Sequence, residues 1–162
     1  MARRVFFSFH YERDIWRANI VRNSWVTQDR EAAGFWDASL WEEAKKKGDE
    51  AIKRMVDEGM KGSSVTAVLI GKETSGRKWV RYEIKKSYEE GMGLLGIYIH
   101  NIKDSSGNTD EKGNNIFGEI GKDKNGNSVY FWQLYPTYDW KDDDGYNNFG
   151  DWVEKAAKQA GR

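Results

Sequence analysis

Two patterns of apolar residues alternate along this chain, and each predicts a different element. Val5-Phe-Phe-Ser-Phe9 is a short, continuous, aromatic-rich run, as expected of a strand covered on both faces. Asp14–Trp25 follows, with Ile15, Trp16 and Ile20 set among Arg and Asn residues, a moderately amphipathic helix. Ala33-Gly-Phe-Trp36 is a brief second strand, ended by Asp37-Ala-Ser39. From Glu42 to Met60, Ala44, Ala51, Ile52, Met55 and Val56 keep helical spacing, until Gly62 and Ser63 break it. Ser64-Val-Thr-Ala-Val-Leu-Ile70 is β-branched and almost wholly apolar, the pattern of a buried parallel strand. Trp79–Glu90 returns to helical spacing through Val80, Ile84 and Ser87, and Leu94-Leu-Gly-Ile-Tyr-Ile99 is a fourth buried strand. Val129–Trp140, around Pro136, predicts one or two further strands, and Asn147–Ala160 a closing helix with Phe149, Trp152, Val153, Ala156, Ala157 and Ala160 inward.

Strand-helix alternation with short links predicts an α/β fold, a doubly wound parallel sheet of flavodoxin-like order. One stretch departs from it. Residues 101–128 are dense in Gly, Asn, Asp and Lys. They exceed the roughly 12–15 residues usual for an unstructured loop, so a lid, a partner contact or partial disorder is expected there. At 162 residues the chain reads as a single domain over 1–162.

Composition removes several kinds of chemistry. Twenty-six basic residues balance twenty-six acidic ones. A nucleic-acid partner would require a basic surplus or stripe, and the longest basic run, Lys45–Lys47, reads as the solvated face of a helix. No stretch approaches the roughly 20 apolar residues of a membrane span, and Met1–Arg4 leads into a strand rather than a signal-peptide core, so a cytoplasmic address is expected. There is no cysteine, hence no disulfide, thiolate nucleophile or thiolate-bound zinc. His10 and His100 are the only histidines, too few for a three-histidine metal site, and no Gly-x-Ser-x-Gly elbow accompanies them. Carboxylates are left as the candidate catalytic groups, with no metal or bound cofactor expected.

Gly91-x-Gly93-x-x-Gly96 matches a dinucleotide fingerprint as a string, but it leaves a helix and enters a strand, the reverse of what pyrophosphate binding needs. Helix termination and close packing are expected instead. Asp123-x-Asn125-x-Asn127 and Asp142-Asp-Asp-Gly145 lack the closing Glu of a calcium loop and read as turns. Trp79-x-x-x-Glu83 is different, because i, i+4 spacing stacks a carboxylate and an indole on one side of a helix. That helix follows the third strand, and open α/β sheets bind ligands beyond the carboxyl ends of their strands. Spacing alone also allows a solvent-facing Glu paired with a neighbouring Lys. The same strand ends gather His10 and Tyr11, Asp37 and Ser39, Gly71 and Thr74, and His100 and Asn101, which as a set would ring one crevice.

Taken in order, Arg4-Val-Phe-Phe-Ser-Phe-His-Tyr11, Phe35-Trp-Asp-Ala-Ser-Leu-Trp41, Ser64-Val-Thr-Ala-Val-Leu-Ile-Gly71, Arg77-Lys-Trp-Val-Arg-Tyr-Glu-Ile84 and Gly96-Ile-Tyr-Ile-His100 resemble the TIR-like proteins of bacterial antiphage defence. The likeness is to the TIR component of the Thoeris system, over about residues 3–101 and 138–153. It implies a TIR-type fold, a central parallel sheet of about five strands flanked by helices. It also implies an enzyme in which Glu83 cleaves the nicotinamide–ribose bond of NAD. Ser8, Phe9, His10, Tyr11, Asp37, Ser39 and Trp79 would bind that substrate. In the resemblance the product is a cyclic ADP-ribose isomer, a diffusible messenger that activates a separate NAD-depleting effector, with self-association a possible accompaniment. Val80 stands where many TIR domains carry Cys. Two other functions compete on sequence: a non-enzymatic TIR assembly module, and an enzyme like nucleoside deoxyribosyltransferase, which also brings a carboxylate to a sugar C1.

Overall fold

The computed structural model describes residues 3–26, 30–36, 38–122 and 125–162. Its framework is a sheet of five parallel strands, β1 (Arg4–Ser8), β2 (Glu31–Ala33), β3 (Val65–Ile70), β4 (Gly93–Tyr98) and β5 (Thr137–Asp139), in the order β2-β1-β3-β4-β5. Helices α1 (Tyr11–Val26), α2 (Ala38–Lys47), α3 (Asp49–Met60), α4 (Lys78–Glu89), α5 (Phe131–Leu134) and α6 (Gly145–Gln159) complete it. The expected doubly wound α/β class and strand order are both found.

Strand alternation decides which helix each strand residue meets. Val5 and Phe7 point to the face shared with Val65, Leu69 and Ile97, where Val21 and Trp25 of α1 and Phe149 and Val153 of α6 close the core. Phe6 points the other way, towards Ile52, Val56 and Met60 of α3, while Val68, Ile70 and Leu94 meet Val80 and Ile84 of α4. Ser8, two residues beyond Phe6 and opposite Val68 in register, therefore faces α4 although it is polar. It is the residue that pattern alone would have counted merely as a break in an apolar run.

Three expectations about elements change. The single helix expected over Glu42–Met60 is two, α2 and α3, separated at Gly48. Gly48 takes φ 103°, a conformation open to glycine at little steric cost and incompatible with continuing a helix. Val129–Trp140 supplies one three-residue strand, β5, preceded by the four-residue α5 rather than a second strand. The second strand lies at Glu31–Ala33, just before the aromatic pair Phe35 and Trp36.

The long stretch after β4 is packed rather than loose over its described residues. The Arg17 guanidinium donates to the carbonyls of Ile102 (2.6 Å) and Asn108 (3.0 Å). Arg13 pairs with Asp110 and with Glu73, and the Asp110 amide donates to the His100 carbonyl at 2.8 Å. Ile116, Phe117 and Ile120 are buried against α4 and β4. A polar composition concealed this anchoring because two arginines from α1 and three apolar side chains do the holding.

The glycine string behaves as its position implied: Gly91 follows α4 with φ 68°, and a Cβ on Gly93 would lie 2.7 Å from the Ala156 carbonyl oxygen of α6. Asp142–Asp144 form a turn in which Asp139 accepts from the amides of Lys141 and Asp142, both at 3.0 Å. Asp123 lies outside the described residues. No helix is long and apolar enough to cross a membrane, and no cluster of three or more metal-ligating side chains is found, in each case among the described residues.

Candidate active site

Glu83 sits one turn into α4, on the side turned towards β1, and is 4% exposed. The Ser8 hydroxyl, itself fully buried, donates to Glu83 Oε1 at 2.8 Å. Burial pushes the carboxyl up to about 8, with the Ser8 hydrogen bond pulling the other way. A carboxyl surrounded by apolar groups loses the hydration that favours its anion, and one hydroxyl restores only a fraction of it. Behind Glu83, the Ser87 hydroxyl reaches both the Glu83 carbonyl (2.7 Å) and the Thr66 hydroxyl (2.6 Å), tying this turn of α4 to β3.

A cleft opens beside the carboxyl, walled largely by rings. Phe9, Tyr11, Trp36, Trp41 and Trp79 line it together with His10. Trp36 stacks on Trp41 with centroids 5.8 Å apart, Tyr11 lies 5.2 Å from Trp41, and the Tyr11 hydroxyl donates to the Trp36 carbonyl. Trp79 meets Tyr82 edge to face at 5.6 Å. Burial, followed by the nearby Arg77 guanidinium, holds His10 below its ordinary pKa, so it is neutral at neutral pH. Glu12 at the rim is lowered by hydrogen bonds from Lys45 (2.6 Å) and Trp41 (3.5 Å). The cavity is small, about 30 Å³, room for little more than a water.

The structure thus brings together Glu83, Ser8, Phe9, His10, Tyr11 and Trp79 from the sequence-predicted set. Asp37 lies outside the described residues, and of Ser39 only the backbone, in α2, is described. The wider crevice expected from the strand ends does not form as one site. Gly71 instead packs on the buried Asp14 carboxylate and donates its amide to the Thr74 hydroxyl oxygen at 2.8 Å. His100 and Asn101 turn to Asp139, Asn101 donating to it at 3.2 Å and His100 Nε2 standing 3.8 Å away. These four residues satisfy turns and ion pairs among the loops, the ordinary fate of polar groups at strand ends. Sequence reasoning also passed over Trp41, Glu12 and Arg77. The first two are members of helices whose inner faces only packing reveals, and Arg77, although it directly precedes the helix of Glu83, is placed at the cleft only by the fold.

A five-stranded parallel sheet with a buried glutamate on the helix after β3, facing an aromatic cleft beyond β1, defines a TIR-type α/β domain. Residues 6–104 match the family described as Thoeris protein ThsB, TIR-like domain, and the chain belongs to that family. A relative from Bacillus cereus (strain MSX-D12), described as "Putative cyclic ADP-D-ribose synthase ThsB1", is 42% identical over 191 aligned residues. That match covers 94% of this chain and all of the relative.

Proposed function

We propose that this chain cleaves the nicotinamide–ribose bond of NAD at Glu83 and closes the remaining ADP-ribose into a cyclic isomer that serves as a messenger to a separate NAD-depleting effector. The observation that carries this reading is the buried Glu83 carboxyl held by Ser8 in an aromatic cleft. The description of the Bacillus cereus relative as a cyclic ADP-D-ribose synthase supports it. The proposal places the protein in the cytoplasm, with NAD, and treats 1–162 as one working domain.

The chemistry needs one carboxylate. When the C1′–N bond breaks, its electron pair leaves with nicotinamide, which departs neutral and needs no proton, so a neutral His10 is no obstacle. The ribosyl centre left behind is oxocarbenium-like, and an adjacent carboxylate stabilises that charge. With a pKa of about 8, Glu83 is mostly protonated at neutral pH. The cationic nicotinamide ribosyl group, placed against it, favours the anion, so the field of Glu83 is switched on by the substrate itself. Ser8 keeps the carboxyl oriented in both states. Ring closure requires the adenosine end to reach the ribosyl centre before water does, and the rings of Phe9, Tyr11, Trp36 and Trp41 supply walls that disfavour water.

Glu83→Gln is the direct test, because the amide keeps size and the Ser8 contact but cannot become an anion. Nicotinamide release from NAD, followed by mass spectrometry of nucleotides from phage-infected cells, should fall by at least about 100-fold while circular dichroism and denaturation show a folded protein. A variant that still makes the cyclic product would overturn the assignment. The narrowness of the cavity favours one second reading, an assembly module without catalysis. A wild-type protein that releases no nicotinamide even in infected lysate, yet forms stable homomers, would select it.

A further inference from the structure

We propose that Arg77 is the residue that engages the diphosphate of the dinucleotide substrate, fixing which end of the molecule enters the Glu83 cleft. The inference deepens the NAD reading and rests on it. Arg77 is the only Lys or Arg among the described residues that line the cleft. It is exposed, and its side chain makes no hydrogen bond or ion pair with any described residue. This sets it apart from its neighbours. Lys78 is paired with Asp49, Arg13 with Glu73 and Asp110, and Lys45 with Glu12. A guanidinium at a cleft mouth with no partner among the described residues has no ion pair there to break on binding and offers a fork matched to phosphate oxygens.

Its location suits one part of the substrate. Arg77 caps the start of α4 and Glu83 lies six residues further on, a separation of roughly 9 Å along the helix. The reacting ribose must sit against Glu83, deep between Ser8 and Trp79, and its C5′ side carries the diphosphate. A ribose seated there with its C5′ towards the mouth delivers that diphosphate to Arg77. The other charged group at the rim, Glu12, is acidic but already neutralised by Lys45. Arg77 lines the same cleft as His10 and Glu12, and its charge contributes to lowering both of their pKa values. A nucleoside without phosphates gains nothing from such a group, so Arg77 would select dinucleotides over nucleosides.

The test pairs binding with turnover, using wild type, Arg77→Ala and Arg77→Lys. Calorimetry with ADP-ribose, which keeps the diphosphate, should show Kd raised about 10–100-fold in Arg77→Ala, as for loss of a charge-assisted hydrogen bond. Arg77→Lys should recover part of that loss. KM for NAD should rise in parallel with kcat within about threefold, since the contact is made equally in ground and transition states. Adenosine binding should be the same in all three proteins. A Kd and KM within twofold of wild type, or a loss confined to kcat, overturns the role of Arg77. A wild type that binds ADP-ribose but does not cleave NAD removes the proposed function, and the Kd ratio still decides Arg77. A wild type that binds no ADP-ribose overturns both.

Discussion

Burial of the Glu83 carboxyl has a consequence for stability as well as for chemistry. Its folded pKa, about 8, lies above the ordinary 4.5. Below 4.5 the group is protonated in folded and unfolded chains alike, and its contribution is fully present. Between 4.5 and 8 the unfolded chain ionises while the folded one keeps its proton, so stability is lost with rising pH and levels off above 8. Urea denaturation of wild type between pH 5 and 8.5 should therefore show a decline on the order of a few kcal/mol that is absent in Glu83→Gln. Parallel curves for the two proteins would mean that the carboxyl is better solvated than its burial implies. The destabilisation resides at the site, as expected where a group is kept out of water for function. Of the residues around it, Trp79 and Glu83 are legible from i, i+4 spacing as sharing a helix side. That Ser8 meets Glu83 depends on β1 and α4 being neighbours, which no local pattern contains.

At the scale of elements, α6 approaches the sheet closely enough for backbone to lie against backbone. Gly93 opens β4 where the Ala156 carbonyl of α6 comes within the space a Cβ would occupy, and Phe149, Val153 and Ala157 complete the seam. Gly93→Ala should push α6 off β4 and cost about 1–3 kcal/mol by denaturation, without direct contact with the cleft. A neutral effect would mean that α6 shifts freely, against the burial of its inner face. The glycine string was readable as something other than a phosphate loop because it follows a helix. The break of α2 from α3 at Gly48 was not, since apolar spacing runs on through it. Likewise, the polar residues 101–122 looked unattached because their tethers, Arg13 and Arg17, belong to α1, about ninety positions earlier.

For the whole molecule, the cavity beside Glu83 is small, about 30 Å³, and the stacked Trp36 and Trp41 rings form part of its wall, so a dinucleotide bound there changes the surroundings of both indoles. Saturating ADP-ribose should therefore change the intrinsic tryptophan fluorescence of wild type, and Trp36→Phe/Trp41→Phe should lose most of that change. An unchanged signal in the presence of calorimetrically demonstrated binding would place the ligand elsewhere. Alternating runs and helical spacing by themselves determined the α/β class, the parallel order and the helix that carries Glu83, because burial on two faces of a sheet and one face of a helix leaves a periodic trace in the chain. The motifs in order were sufficient to point to the TIR family. Tertiary structure alone decided that Ser8 holds the carboxyl, that Trp41 and Arg77 join the cleft, and that His100, Asn101, Gly71 and Thr74 do not. Those facts depend on which side chains, distant along the chain, the packed sheet turns towards one another, and on how much water the packing leaves between them.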